Sequence, residues 1–153
     1  MNQDNPTIGF IGLGLMGQAF TKRLCGVGYS VIGYDLAAEK IEQAAEHGVA
    51  PATSPADLAA RADLIQLCVT STDGVRAAVF GPGGVVEAAS GDKLLVDHST
   101  SIVQATKDMA AELRERTAMG WVDAPVSGGP PAAATGSLAI MAGGGDDDIA
   151  SQR

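Results

Sequence analysis

Three glycines spaced Gly12-x-Gly14-x-x-Gly17, set directly behind the apolar run Ile8–Ile11, constrain this chain more than anything else in it. In a strand-loop-helix turn the first glycine permits the tight turn, the second lets backbone approach a pyrophosphate, and the third lets the helix pack closely on the strand. Backbone N–H groups left free at the start of that helix, together with its positive end, bind phosphate oxygens. The spacing alone also fits a glycine turn made only for packing. The next strand-like segment narrows the choice: a second β-branched run ends in "VIGYDL", which places Asp35 23 residues after Gly12, where a ribose-binding carboxylate belongs. Gly12, Leu13, Gly14, Leu15, Met16 and Gly17, with Asp35, are therefore the candidate dinucleotide site. A carboxylate at position 35 accepts hydrogen bonds from both adenosine ribose hydroxyls and repels a 2′-phosphate, and no arginine stands beside it. NAD is favoured over NADP. A strand-end aspartate also caps the next helix in many turns, and that alternative stays open for Asp35.

Behind this motif, short β-branched runs alternate with segments of helical period. The runs are Thr7–Ile11, Ser30–Tyr34, Leu64–Val69, Leu94–Asp97 and Trp121–Asp123; between them lie Ala/Leu/Glu/Arg-rich stretches such as Met16–Val27, Ala37–His47 and Ile102–Thr117. The pattern predicts an α/β fold of Rossmann type, a doubly wound, mainly parallel sheet with helices on both faces. Ser54-Pro55-Ala56-Asp57 supplies an N-cap, a proline at the first helical position and an acid in the first turn. Gly26, Gly28 and Gly48 stand where helices should stop, "FGPGGV" is a loop, and the acidic tail "GGGDDDIASQR" opens like a helix cap. A length of 153 residues suits one domain. With 10 basic against 18 acidic residues, a net charge of −8 and no basic cluster, nucleic acid and anionic membranes are excluded as partners. No apolar run nears a membrane span and no signal-like start is visible, so the expected location is cytoplasmic. Cys25 and Cys68 lie in apolar runs without metal or redox spacing and read as small hydrophobes, and no metal site is expected. Trp121 and the methionines read as core, His98 as a structural strand-end residue, and His47 as a surface residue at a helix end.

A second motif, "VDAPVSGGPPAAATGSLAIMAGG" over Val122–Gly144, does not follow from fold logic. Together with "GFIGLGLMG" it strongly resembles the 3-hydroxyisobutyrate dehydrogenase-related family of β-hydroxyacid dehydrogenases, relatives of 6-phosphogluconate dehydrogenase. Asp123, Ala124, Pro125, Val126, Ser127, Gly128, Gly129, Ala133, Gly136, Leu138, Ile140, Met141, Gly143 and Gly144 fall in register with the family pattern, and the resemblance runs from Ile8 to about Asp148. It implies that Ser127, Gly128 and Gly129 line the substrate pocket. Their short hydroxyl and unobstructed N–H groups suit the carboxylate of a small hydroxyacid. Pro130 and Pro131 depart from the family segment and should stiffen this loop. The resemblance further implies that Val69 and Thr70, in "CVTSTDG", touch the nicotinamide-side ribose, and that Thr100, in "DHSTS", touches the nicotinamide end. Ser99 and Thr100 could equally cap the helix expected near Ser101.

By the same resemblance the reaction is hydride transfer between NAD and a small 3-hydroxyacid, with a lysine as acid/base on a long helix that the family places after this domain. The chain should then be the NAD-binding domain over residues 1–153, with the all-helical second domain outside it and no catalytic residue within it. Lys22, Lys40 and Lys107 sit on helical stretches flanking the sheet and Lys93 precedes a strand, so none substitutes. Inactivity as an isolated chain, an exposed apolar patch where helices would dock, and a homo-oligomeric full-length enzyme are further expectations. A stand-alone NAD-binding sensor or interaction module, and a relative from the imine-reducing branch, are the alternatives. 3-Hydroxyisobutyrate, tartronate semialdehyde and threonate all suit the same motifs.

Overall fold

A computed structural model describes residues 5–151; Gln152 and Arg153, the end of the acidic tail, lie outside the described residues. Six parallel strands form the main sheet: β1 (Ile8–Ile11), β2 (Val31–Tyr34), β3 (Ala50–Pro51), β4 (Leu64–Leu67), β5 (Leu94–Asp97) and β6 (Gly120–Asp123). Their order is β3-β2-β1-β4-β5-β6, with β1 paired to β2 on one side and to β4 on the other. The chain starts in the middle and winds outward in both directions, so the order reverses at β1/β4. In such sheets ligands lie beyond the carboxyl ends of the strands at that reversal. The predicted Rossmann-type α/β fold is therefore the observed one.

The helices are α1 (Leu15–Gly26), α2 (Ala38–Ala45), α3 (Pro55–Arg61), α4 (Thr72–Phe80), α5 (Val103–Thr117), α6 (Gly129–Thr135) and α7 (Asp146–Ala150). Alternation along β1 shows how they cover the sheet. Phe10 points into a core with Leu13, Val31, Ala44 and Val49, packed by Phe20, Leu24 and Ile41 of α1 and α2. Ile11 points the other way, into the larger core of Leu58, Ile65, Val75, Val79, Leu95, Met109, Leu113 and Trp121. Gly9 shares Ile11's face, and a Cβ there would stand 2.2 Å from Leu58 Cδ2, so the missing side chain is what lets α3 press onto β1. The cap read at Ser54 is present, with Ser54 Oγ accepting from Asp57 N–H at 3.0 Å and Pro55 opening the helix.

Several local expectations need correction. β3 has only two residues and ends in proline, which only an edge strand tolerates, so it has no run to recognise. Within "CVTSTDG" a helix already begins: Ser71 Oγ accepts from Gly74 N–H at 3.0 Å and caps α4, which starts at Thr72. Pro130 and Pro131 do not stiffen a loop but occupy the first positions of α6, where a missing N–H costs nothing. Val126–Ser127 (β7) and Ala139–Ile140 (β8) form a separate antiparallel pair. Met109 and Met119 are core, but Met141 is exposed on the β8 side. His47 is half-buried, its Nε2 lying 2.9 Å from the buried Thr21 hydroxyl. Cys25 and Cys68 are half-buried against the α1–α2 core, and burial pushes both thiols up, Cys68 to about 11. No helix of the described residues is long and apolar enough to cross a membrane.

Leu58 is fully buried and spans the contact between α3 and the sheet. Leu58→Ala should cost about 2–4 kcal/mol of stability, since a cavity opens against a strand that has no side chain at Gly9 to fill it. Urea unfolding of the two proteins checks this.

Candidate dinucleotide site

The glycine loop leaves the carboxyl end of β1 and enters α1. Gly12 has φ +95°, and a Cβ there would stand 2.0 Å from the Cys68 carbonyl oxygen. A Cβ on Gly17 would stand 1.9 Å from the Gly12 carbonyl oxygen. Both glycines are required by the protein's own backbone. Gly14 is different: its φ is an ordinary −71°, it is the N-cap of α1, and a Cβ would meet no atom within 4 Å. No side chain caps α1 either, so the helix presents bare N–H groups to that open space. Leu13 is buried beneath the loop, Leu15 is exposed beside it, and Met16 is half-buried.

Asp35, at the end of β2, reaches this loop. Its Oδ2 accepts from Leu13 N–H at 2.7 Å and its Oδ1 from Ala37 N–H at 2.9 Å. The residue at the N-cap of α2 is Ala37, so Asp35 is not that helix's cap; it joins the glycine loop to the turn after β2. An ionised carboxylate offers about four acceptor positions, so two remain for further donors. Gln18 Nε2 adds a second brace, donating to the Leu13 carbonyl at 3.0 Å and the Lys40 carbonyl at 2.8 Å.

Next to the loop, the ends of β4 and β5 carry Val69, Thr70, Ser99 and Thr100. Val69 is half-buried, while Thr70 and Thr100 are exposed. Ser99 and Thr100 do not cap α5: the N-cap is Ile102, without a side-chain cap. Ser99 Oγ instead accepts from Val69 N–H at 2.9 Å, and Ile102 N–H donates to Thr72 Oγ1 at 3.0 Å. His98 is buried, its ring stacked on Phe20 at 4.9 Å and its Nδ1 2.9 Å from the Ala124 carbonyl. Burial pushes its pKa down. That is a packed, neutral imidazole. The neighbouring Asp97 carries no signal in the sequence, since one acid at a strand end has no pattern. It is fully buried, and burial raises its carboxyl to about 6, with Asp123 on β6 adding to the rise.

α6 packs along α1; it begins at Gly129, with Gly128 as its N-cap and Ser127 ending β7 before it. Ser127 and Gly128 are exposed. Gly128 has φ +130° and a Cβ would stand 2.7 Å from Ala132 Cβ, whereas Gly129, with φ +69°, would meet nothing nearer than 3.8 Å. Lys22, Lys40 and Lys107 lie on α1, α2 and α5, and Lys93 Nζ donates to the Ala59 and Ala60 carbonyls at the end of α3. Two grooves, of about 590 and 360 Å³, run along α5 and the segment Gly143–Asp148. They share Lys107, Ala110, Trp121 and Gly144 and include no residue of the glycine loop. Among the described residues no cluster of acids, histidines or cysteines could hold a metal.

A doubly wound sheet with an open glycine turn at its order reversal defines a nucleotide-binding domain of the dinucleotide class. Residues 7–153 match the model of the NAD binding domain of 6-phosphogluconate dehydrogenase, and the chain belongs to that family. It is 38% identical over 144 residues to the human mitochondrial 3-hydroxyisobutyrate dehydrogenase, across 94% of this chain and 42% of that protein. The structure of 3-hydroxyisobutyrate dehydrogenase from Mycobacterium tuberculosis with L-serine superposes with a TM-score of 0.89 at 35% identity, covering 97% of this chain and 50% of the other. Psf3, in complex with NADP+ and 2-OPP, superposes with a TM-score of 0.88 at 26% identity, covering 94% of this chain and 51% of that one. The chain thus spans about half the length of the relatives it matches.

Asp97 also governs stability against pH. Its folded-state carboxyl sits at about 6 against an ordinary 3.8, so the stability it leaves intact below about pH 4 is lost as pH rises through 6. The loss at neutral pH is on the order of 3 kcal/mol. Asp97→Asn should therefore melt higher than wild type at pH 7.5, and the two melting curves should converge near pH 4.

Proposed function

We propose that this chain binds NAD, in preference to NADP, as the cofactor domain of an oxidoreductase acting on a small 3-hydroxyacid. Gly14 is the observation that carries the reading. It is the one motif glycine that none of the described residues requires, and its open side faces the uncapped start of α1. A pyrophosphate against those N–H groups supplies the missing reason. Asp35 then keeps its free acceptor positions for the adenosine ribose while bracing the loop, and a 2′-phosphate would meet its charge. Val69 and Thr70 line the nicotinamide-side ribose and Thr100 the nicotinamide end, with Leu13, Leu15 and Met16 at the glycine loop. When bound, NAD supplies the hydride acceptor; the residues of this chain bind and orient it.

Ser127, Gly128 and Gly129 are the proposed cradle for the substrate carboxylate, a hydroxyl and backbone N–H groups reached from the α1 side. The donor groups fit a hydroxyacid such as 3-hydroxyisobutyrate, the substrate in the names of the human and M. tuberculosis relatives. None of Lys22, Lys40, Lys93 and Lys107 lies in the glycine loop or in Ser127–Gly129, and proton removal is assigned to no residue of this chain. The isolated 153-residue chain should bind NAD and turn over no hydroxyacid, because a positioned base contributes typically 10²–10⁴-fold.

Three measurements test this. Gly14→Val should fold as wild type and lose detectable NAD binding; a variant that binds normally would make the loop purely structural. Asp35→Ala should weaken NAD about 5- to 150-fold, the loss of charge-assisted hydrogen bonds worth ~1–3 kcal/mol, and narrow the gap to NADP. Tighter binding of NADP than NAD by the wild type would reverse the cofactor assignment. In a hydride-transfer assay with 3-hydroxyisobutyrate, ordinary dehydrogenase rates from this chain would refute its role as a cofactor domain alone.

A further inference from the structure

Side chains, not only ladder hydrogen bonds, tie the ends of β4 and β5. Ser99 Oγ accepts from Val69 N–H at 2.9 Å, and Ser99 N–H donates in turn to Asp97 Oδ1 at 2.9 Å. The Val69 side chain is bounded on two further sides. A Cβ on Gly12 would stand 3.1 Å from Val69 Cγ1, and one on Gly74 would stand 3.3 Å from Val69 Cγ2. Val69 is therefore held from three directions, while the Thr70 side chain that follows it stays exposed at the rim.

Packing alone does not account for the acid behind this arrangement. Asp97 has no exposed surface, and its Oδ2 has no hydrogen-bond partner among the described residues. Asparagine would offer Ser99 the same acceptor without a buried charge. A carboxylate gives more: a hydrogen bond to an ionised acceptor is shorter and roughly twice as strong as a neutral one. Groups with such displaced ionisation concentrate at functional sites.

Resting on the cofactor reading above, we propose that Asp97 and Ser99 are a positioning pair that presents Val69 and Thr70 to the nicotinamide-side ribose of bound NAD. Neither touches the cofactor; both act through the Val69 backbone. The adenosine half, held at the glycine loop and Asp35, is independent of them. ADP, which ends before the second ribose, therefore serves as an internal control. The titratable groups around Asp97 are Asp123 on β6, the Cys68 thiol after β4 and the adjacent His98. At pH 7 the thiol, pushed to about 11, and the imidazole, pushed below its ordinary 6.5, are both neutral. Asp123 is raised by its own burial, and the Asp97→Asn variant separates its titration from that of Asp97.

Calorimetric titration of NAD and of ADP into the full chain, with thermal melts of each variant, tests the pair. Ser99→Ala should lose about 5- to 10-fold in NAD affinity, the worth of one such hydrogen bond, and stay within about twofold for ADP. Asp97→Asn, which leaves a neutral acceptor in place, should lose about threefold for NAD at pH 7.5. Wild type should suffer the same loss as the pH falls through 6, and Asp97→Asn should not. If Ser99→Ala fails to fold, Asp97→Asn and its pH profile decide the matter. An NAD-to-ADP affinity ratio that Asp97→Asn leaves unchanged at pH 7.5, in a folded protein, overturns the assignment whatever Ser99→Ala does. Wild type that binds neither nucleotide overturns the cofactor reading itself, a different outcome.

Discussion

The contact between the start of α1 and the turn after β1 is the constraint on which the rest of the molecule depends. Gly17 lies so close to the Gly12 carbonyl, and Gly12 so close to the Cys68 carbonyl, that a methyl group at either place would overlap backbone. Backbone cannot swing aside as a side-chain end can. The two glycines fix α1 against β1 and β4 together, at the point where the strand order reverses. From there the consequences spread: α6 packs along α1 and so brings Ser127–Gly129 alongside it, and Asp35 reaches the loop from β2 because Leu13 N–H is held where its carboxylate can accept it.

Much of this was legible in the sequence because the informative residues there obey local rules. A strand buried on both faces reads as a short apolar run, and β1, β2, β4, β5 and β6 each lie within a residue or two of the run that predicted them. Ser54-Pro55-Ala56-Asp57 carried its own start signal, and the cap forms as the residue types require. The elements that escaped notice have no such signal. Two-residue strands such as β3, β7 and β8 are too short for alternation to show, and α6 opens with a glycine and two prolines that look like a loop until the backbone places them in a first helical turn.

The candidate site divides in the same way. Gly12, Gly14, Gly17 and Asp35 could be singled out by spacing, but spacing could not say which glycine serves the fold and which serves a ligand. The space around each one separates Gly12 and Gly17, which the backbone requires, from Gly14, which it does not. Nor could the sequence show that Asp35 braces the loop it was expected to complement, since that bond joins residues 22 apart. Asp97 is the clearest omission. Its significance lies in burial, in an unsatisfied oxygen and in the bond from Val69 N–H to the hydroxyl of the serine two residues on, and each exists only after the strands have assembled.

Charge sets a last condition on how such a chain could hold a dinucleotide. With a net charge of −8, its overall field repels a pyrophosphate rather than steering it in. No lysine or arginine lies in the glycine loop or beside Asp35 to offset that repulsion. Attraction must therefore be local, and the uncapped N-terminus of α1 is where it can arise: oriented N–H groups act at hydrogen-bond distance, where a diffuse surface charge is largely screened by salt. On the proposed cofactor reading the loop would then have to approach the ligand closely. On that reading a side chain at Gly14 would hold the phosphates away from those N–H groups, and in an acidic protein the overall field would not make up the loss.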